Sequence, residues 1–193
     1  MTRPRPRPLR ADAQRNRQRV LEVAEAVFAD EGLDVPIDEI ARRAGLGVGT
    51  LYRHFPTKEA LFSAIVVGRV ERATGHARAL AATPPDDPGA GFFGFLSYLL
   101  DQGAAKKDFV DALAGAGVDL VRSTAAARRG FRAALAKLLA RAQAAAAVRD
   151  DVTVEDIVAL VVGLFAAIER HAGARSARDR LFAIVCHGLR PPP

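Results

Sequence analysis

Apolar residues recur at helical spacing along most of this chain. Between residues 11 and 30 they form one stripe, and Gly32 follows at the point where such a helix would end. The pattern predicts a first helix from about Ala11 to Asp30. No segment alternates apolar and polar residues with a period of two, and hairpin signals are absent, so the sequence predicts an all-α fold. The stripe consists of Val20, Leu21, Ala24, Val27 and Phe28.

The next two predicted helices are short, and a glycine turn joins them. Gly45 directly follows the first of them, where a helix that ends in a left-handed residue favours glycine. Pro56 stops the second helix. A short helix held by a tight turn is typical of helix-turn-helix proteins, which present such a helix to the major groove of DNA. The predicted buried positions are Ile37, Ile40, Ala41 and Ala44 on the first helix and Val48, Leu51 and Phe55 on the second.

The segment GVGTLYRHFPTKEALF resembles the recognition helix of TetR-family (tetracycline-repressor-like) transcriptional regulators, together with the start of the helix that follows it. The upstream segment NRQRVLEVAEAVFADEGLDVPIDEIARRAG resembles the first and second helices of the family. The resemblance is dense from Arg15 to about Ile65. Pro36 departs from it, because many members carry a Thr or Ser cap there, and Asp34 or the backbone would then cap the second helix.

The second short helix carries the candidate DNA-reading side chains. We expect Thr50, Arg53 and His54 to project away from the apolar face, with Tyr52 at its edge. Arg53 would bridge O6 and N7 of a guanine, and Thr50 would serve a phosphate or a thymine methyl group. The resemblance implies phosphate contacts for Tyr52, His54 and Lys58. Tyr52 would also brace the turn as a packed aromatic, and the alternative for His54 is an ordinary surface histidine. The full set of candidates is Gly47, Val48, Gly49, Thr50, Tyr52, Arg53, His54 and Lys58.

Prolines divide the chain, and none lies between Pro88 and Pro191, which permits a long helical region. Thr57 is predicted to cap a fourth helix, and Ser176 with Asp179 is predicted to form a capping box for the last one. These signals divide the chain into an arm at 1–10, a helix-turn-helix domain at 11–57 and a helical domain at 58–190. The helices predicted after residue 57 span about 58–82, 91–104, 107–115, 124–147, 153–171 and 176–189.

The helix predicted from Thr153 contains the run IVALVVGLFAAI, which is apolar on nearly every side. One buried face does not account for such a run, whereas burial against both its own domain and a second subunit would. Gly163 at its middle would let a partner helix approach closely. A central core helix is the alternative. The TetR resemblance implies a homodimer in which the last two helices of each subunit form a four-helix bundle.

Positive charge is concentrated at the start of the chain. The protein has 193 residues and a net charge of +6, and residues 1–20 hold seven arginines but only one acid, Asp12. The arm and the start of the first helix therefore carry the excess charge, which suits a polyanion such as DNA, although a solvated arm without a partner is the alternative. Alternating prolines predict that residues 1–10 are neither helix nor strand. The arm has no apolar segment of a signal peptide, and no run approaches the ~20 apolar residues of a membrane span.

The chain offers little that points to catalysis or to a metal. GLGVGT lacks the third glycine of a nucleotide-binding loop, the four histidines form no metal-binding pair, and Cys186 is the one cysteine. We therefore expect no enzyme, no cofactor and no metal, and a reducing cytoplasm as the location. The resemblance implies a small-molecule effector in the second domain. The residues that would line its site, or that simply form the core, are Phe92, Phe93, Phe95, Tyr98, Phe109 and Phe165, with His76, Asp101, Gln102 and Arg122 as polar candidates.

The sequence thus predicts an all-α protein with an N-terminal three-helix helix-turn-helix DNA-binding domain and a C-terminal helical ligand-binding and dimerisation domain. Its expected partner is double-stranded DNA with a palindromic operator, from which an unidentified ligand would release a homodimeric repressor. A small-molecule-binding helical protein or an enzyme without DNA binding is the alternative. A membrane-surface protein that uses the basic arm is less well supported, since no basic amphipathic helix accompanies the arm.

Overall fold

The computed structural model describes residues 7–32, 34–82, 87–103, 120–170 and 175–192. Over these residues the protein contains eight α-helices and no strand, which confirms the predicted all-α fold. The predicted helix at 107–115 lies outside the described residues. The helices are α1 (Arg7–Glu31), α2 (Ile37–Arg43), α3 (Val48–His54), α4 (Lys58–Ala82), α5 (Pro88–Gly103), α6 (Leu120–Ala144), α7 (Val154–Arg170) and α8 (Arg175–Leu189).

The described residues form two compact units, one of residues 7–32, 34–67 and 120–123 and one of residues 68–82, 87–103, 124–170 and 175–192. The core of the first unit contains Leu61, Phe62 and Ile65 from the start of α4, so this part of α4 packs with α1, α2 and α3. The phenyl rings of Phe28 and Phe62 stack with their centroids 4.6 Å apart. The domain boundary proposed between residues 57 and 58 remains a prediction.

Helix α1 begins earlier than its sequence pattern predicts. Residues 7–10 are helical, so the prediction that residues 1–10 are non-helical is wrong for these four. Pro8 is tolerated because it lies in the first turn, where a missing N–H removes no hydrogen bond within the helix. At the other end Gly32 has a φ of +80°, as a left-handed residue after a helix does. The predicted stripe is confirmed, since Val20, Leu21, Ala24, Val27 and Phe28 are all buried.

The second unit has a core of its own, formed by the later part of α4 with α5, α6, α7 and α8. A reciprocal capping box starts α7: the backbone N–H of Thr153 donates to Asp156 Oδ2 (2.9 Å), and the backbone N–H of Asp156 donates to Thr153 Oγ1 (3.2 Å). The analogous prediction for α8 is wrong. That helix already includes Arg175, so Ser176 lies inside its first turn, and Asp179 pairs with Arg178 instead.

The ends of the other helices also differ slightly from the predicted ones. Helix α5 starts at Pro88 because the Asp87 side chain accepts a hydrogen bond from the Ala90 N–H at 3.0 Å. Helix α6 ends at Ala144, close to Ala146, which has a φ of +53° and thus cannot continue a right-handed helix. In the part of the chain that the structure describes, no helix is both long enough and apolar enough to cross a membrane.

Candidate nucleic-acid interface

The turn between α2 and α3 is fixed by its backbone. Gly45 has a φ of +68°, which confirms the prediction of a left-handed glycine after α2. Its N–H donates to the carbonyl of Arg42 (3.1 Å), and the N–H of Leu46 donates to the carbonyl of Ala41 (3.0 Å). These two bonds form a Schellman motif, which satisfies carbonyl groups that the helix end would otherwise leave unpaired. The angle between the two short helices therefore depends on a residue that tolerates positive φ.

The start of α2 is capped by the backbone. Pro36 occupies the N-cap position with extended geometry and makes no side-chain cap. Its carbonyl accepts hydrogen bonds from the N–H groups of Glu39 (3.1 Å) and Ile40 (3.4 Å). Of the two options that the sequence left open, the backbone rather than Asp34 therefore supplies the cap.

Helix α3 is anchored by two residues. Leu51 and Phe55 are fully buried in the core of the first unit. Val48 is not part of this anchor, because its side chain is 38% exposed, and the prediction that it is buried is wrong. Val48 is the first residue of α3, and it is not among the residues that pack on the core of the first unit. Its exposure leaves it available to a partner.

Two glycines at the start of α3 face open space. A Cβ atom placed on Gly47 or Gly49 would have no neighbouring atom within 4 Å. Neither residue has the positive φ that requires glycine. Within the described structure, then, neither packing nor backbone conformation requires a glycine at these positions. The backbone here is accessible to any molecule that approaches α3.

The polar candidates differ in exposure. Arg53 and Tyr52 are exposed on α3, whereas Thr50 and His54 are half-buried. Lys58 lies in the first turn of α4, as predicted, and is also half-buried; its Nζ is 5.9 Å from the centroid of the Phe28 ring. The structure therefore brings residues 47–54 together on one short helix and its N-cap, while Lys58 occupies the start of the next helix.

A network of ion pairs joins α1 to α2. The guanidinium of Arg43 pairs with the carboxylates of Glu31 and Glu39, and Arg42 pairs with Glu39 as well. Hydrogen bonds from Arg42 and Arg43 lower the pKa of Glu39 to about 2. The Arg43–Glu31 pair thereby links the last residue of α2 to the last residue of α1.

Sequence reasoning missed two arginines of α1 that lie near the ends of α3. The Cζ atom of Arg17 is 5.2 Å from the centroid of the Phe55 ring, and Arg19 Nη2 would lie 3.7 Å from a Cβ at Gly45. The cluster of arginines at the start of the chain was the signal for both, but the sequence did not show which of them reach α3. Partial burial raises the pKa of Tyr52, and the negative charge of Asp38 raises it further.

The second unit contains the described aromatic candidates, and Phe109 lies outside the described residues. Phe92 and Phe95 are fully buried, and the imidazole of His76 stacks on the Tyr98 ring with centroids 4.3 Å apart. The side chain of Arg122 is not described. Among the described residues there is no group of three His, Cys, Asp or Glu side chains that would hold a metal ion.

Helix α7 exposes apolar side chains on one side. Ile157, Leu164 and Ile168 are buried, but Leu160 is 38% exposed and Val162 is 61% exposed. On α8, Ile184 is 61% exposed. Leu160 shares a surface groove with Val185 and Gly188 of α8, so the exposed sides of the two helices are continuous there. We call the exposed residues Ala159, Leu160, Val162, Gly163, Ala183 and Ile184 the α7–α8 face.

The first unit thus has the architecture of a helix-turn-helix DNA-binding domain, in which α3 corresponds to the recognition helix. A sequence model described as "Bacterial regulatory proteins, tetR family" matches residues 20–65, and one described as "Transcriptional regulator SbtR-like, C-terminal domain" matches residues 87–191. The chain belongs to the TetR family of transcriptional regulators. Membership confirms that it is a DNA-binding regulator and not an enzyme.

Known relatives agree with this assignment. A TetR regulator from Mycobacterium vanbaalenii is 48% identical, with a TM-score of 0.74 over 95% of this chain and 100% of the other. An HTH-type transcriptional regulator of Staphylococcus aureus is 46% identical over 54 residues, which are 28% of this chain and 29% of the relative. The chain thus spans less than a third of that relative. RolR, solved in complex with resorcinol, shares the fold at 20% identity, with a TM-score of 0.63 over 94% of this chain and 91% of the other.

Proposed function

We propose that this protein is a homodimeric repressor that binds a palindromic operator through α3 and is released by a small molecule. The observation that carries the proposal is the surface of α3. Buried Leu51 and Phe55 fix this helix, while Val48, Tyr52 and Arg53 are exposed. Buried anchors on one side and exposed donors on the other are what a probe of the major groove requires.

The exposed residues of α3 suit different parts of the duplex. Arg53 would read a guanine through O6 and N7, a pairing for which a guanidinium has the right geometry. Gly47 and Gly49 would allow the backbone of α3 to approach the duplex closely, because no side chain intervenes. Thr50, together with exposed Val48, would contact a thymine methyl group or a phosphate.

Phosphate contacts would come from the flanks of α3. We assign Tyr52 and His54 to phosphates, along with Lys58 at the amino end of α4, where free backbone N–H groups also favour an anion. Arg17 and Arg19 of α1 add positive charge beside Phe55 and Gly45. Such contacts fix the register of the protein on DNA and make affinity depend on salt.

The α7–α8 face would be the dimer interface. Val162 and Ile184 are each 61% exposed, although both are aliphatic and lie on well-formed helices. Exposed apolar residues that are contiguous on a surface mark interaction sites. A second copy of the same face would bury them, and an obligate interface of this kind buries on the order of 2,000 Å² or more in total. Two recognition helices would then contact two half-sites.

An effector would act through the second unit. We place its site among the aromatic side chains around His76 and Tyr98. The rings of these two residues stack on each other, and a flat ligand would stack on them in turn. The RolR complex with resorcinol supports a small-molecule effector in this fold but does not identify the ligand of this protein. A ligand that binds more tightly to dimers with one spacing of the two recognition helices would change the fraction of dimers whose spacing fits the operator. The protein would act in the cytoplasm, where its DNA lies.

The decisive experiment is selection of bound sequences from a random pool of DNA duplexes with the full-length protein. We expect enrichment of palindromic sequences whose half-sites are separated by about 34–36 Å or a multiple of it. The same selection with Arg53→Ala is the matched control and should lose preference at the base pair that Arg53 reads. Failure of folded wild-type protein to enrich any sequence would favour the alternative, a small-molecule-binding protein without DNA binding.

A further inference from the structure

Two arginines of α1 lie near opposite ends of α3. The Cζ atom of Arg17 is 5.2 Å from the centroid of the Phe55 ring, and Phe55 directly follows the last residue of α3. Arg19 reaches the other end, where its Nη2 would lie 3.7 Å from a Cβ at Gly45, in the turn that leads into α3. Residues two apart on an α-helix point in directions about 200° apart, so the two side chains leave α1 on nearly opposite sides. Together they flank the helix that we propose reads DNA.

The positive charge of these two arginines has no acidic partner in the described part of the chain. Both residues are exposed, and among the described residues neither forms an ion pair. By contrast, Arg15 of the same helix pairs with Asp12. An exposed guanidinium without a carboxylate keeps all its N–H donors and its full charge for an anion. The charge near both ends of α3 is therefore available to a phosphate.

The ring of Phe55 also restrains Arg17 before any ligand arrives. Phe55 is 2% exposed and belongs to the core of the first unit, so the ring beneath the guanidinium is itself fixed. A guanidinium that lies over an aromatic ring keeps the N–H groups at its edge free to bind an oxygen anion. A side chain that is already ordered avoids the loss of affinity that ordering a free side chain would cause.

We propose that Arg17 and Arg19 bind two separate phosphates of the DNA backbone, one near each end of α3, and so fix the position of α3 in the major groove. Helix α3 has seven residues and is about 10 Å long at ~1.5 Å per residue, so one phosphate does not serve both of its ends. The inference rests on the proposed DNA-binding function and assigns each arginine a phosphate of its own. Because phosphate contacts carry no base information, the two arginines should govern affinity and register, and the preferred base sequence should not depend on them.

The first test is the salt dependence of binding by the full-length protein to the duplex that the wild type enriches. Each substitution is present in both subunits of the proposed dimer, so Arg17→Gln or Arg19→Gln should remove two phosphate contacts. The slope of log affinity against log salt should then fall by about 1.8 in magnitude, or about 0.9 for each lost contact. Arg15→Gln removes the same charge from the same helix and is the matched control, with a slope equal to that of the wild type. An equal fall in this control would show a diffuse effect of net charge and would overturn the inference.

Ethylation of single phosphates locates the contacts, because an ethylated phosphate has lost its negative charge. We expect ethylation to block binding of the wild type at phosphates near both ends of α3. Arg17→Gln should become insensitive to ethylation at one of these positions and Arg19→Gln at the other, while both variants select the same base sequence as the wild type. Insensitivity of both variants at the same phosphate, or a wild-type pattern in either folded variant, would contradict the assignment.

A third comparison separates phosphate binding from a structural role of Arg17 over Phe55. Arg17→Lys keeps the positive charge but lacks the planar guanidinium. If Arg17 binds a phosphate, Arg17→Lys should keep most of the salt slope that Arg17→Gln loses. If Arg17 only covers Phe55, both variants would lower the unfolding midpoint, followed by circular dichroism, and leave the salt slope unchanged, which would refute the inference for Arg17.

The outcomes also separate this inference from the proposed function. A folded wild type that enriches no duplex would remove the proposed DNA binding itself. A wild type that binds its duplex, with variants that keep its salt slope and ethylation pattern, would remove only the role of the two arginines.

Discussion

Gly163→Glu tests whether the α7–α8 face is a dimer interface. Gly163 lies in the middle of α7, and a Cβ at this position would meet no atom within 4 Å. The single chain therefore has room for the larger side chain. Glycine is also a poor helix former, so the substitution should favour the helix itself by about 0.5–1 kcal/mol. If the Gly163→Glu substitution nevertheless weakens the dimer strongly, the cause has to lie in contacts with the second molecule.

The expected effect is large because the charge would be buried without a partner. Leaving one uncompensated charge in an interface costs about 3–5 kcal/mol, and a twofold interface contains the substitution twice. Since ~1.4 kcal/mol corresponds to a factor of ten, the dimer dissociation constant should rise at least on the order of 100-fold to 1,000-fold. Binding to a palindromic operator should weaken with it, although residue 163 belongs to the second unit and the recognition helix to the first.

Sedimentation velocity at micromolar concentration is the direct assay, with circular dichroism to confirm helicity. The matched control is Gly94→Glu, which places the same charge on an exposed helical glycine that also has no atom within 4 Å of a Cβ. We expect the wild type and Gly94→Glu to be dimers and Gly163→Glu to be a helical monomer. A wild type that stays monomeric, or a Gly163→Glu dimer of nearly unchanged affinity, would refute both the interface and the paired half-site mechanism.

Three further predictions concern DNA binding and stability. Arg53→Ala should weaken specific DNA binding by about 1–3 kcal/mol in a mobility-shift titration, with helicity unchanged. The control Lys137→Ala removes the same charge from α6 and should leave specific DNA binding unchanged. Deletion of residues 2–10 should weaken DNA binding and reduce the slope of log affinity against log salt by about 0.9 for each phosphate that the arm neutralises. Identical slopes for the full-length and the truncated protein would show that the arm is only solvated. The lowered pKa of Glu39, about 2 against an ordinary 4.5, means that its ion pairs stabilise the fold above pH ~4.5 and that this contribution disappears as the pH falls towards 2. Unfolding midpoints of the wild type and Glu39→Gln at low salt should therefore differ near neutral pH and converge near pH 2.

Local rules explain why much of the first unit was predictable. The left-handed Gly45, the stripe on α1 and the buried Leu51 and Phe55 all follow from short-range signals, namely glycine after a helix and apolar residues at helical spacing. Val48 shows the limit of that reasoning. Its spacing matches that of Leu51 and Phe55, but burial depends on where the core ends, and the first residue of α3 lies beyond it.

The start of α1 shows a similar limit. Prolines at positions 4, 6 and 8 predict an extended arm, yet residues 7–10 are helical, because a proline in the first turn of a helix breaks no hydrogen bond. Ser176 and Asp179 have the spacing of a capping box, but the helix begins before them and Asp179 pairs with Arg178. In both cases the motif was present, but the helix begins earlier in the chain than the motif indicated.

By itself, the sequence determined the helical class, the helix-turn-helix unit and the family, since these depend on periodicity, turn residues and a dense local motif between Arg15 and Ile65. Only the tertiary structure decided which distant side chains meet. Arg17 lies over Phe55, and Arg43 joins Glu31 of α1 to Glu39 of α2. Those contacts join residues on different helices, so they depend on how the helices pack. Helix spacing within a sequence specifies which face is buried, but it does not specify which residue of the next helix lies opposite.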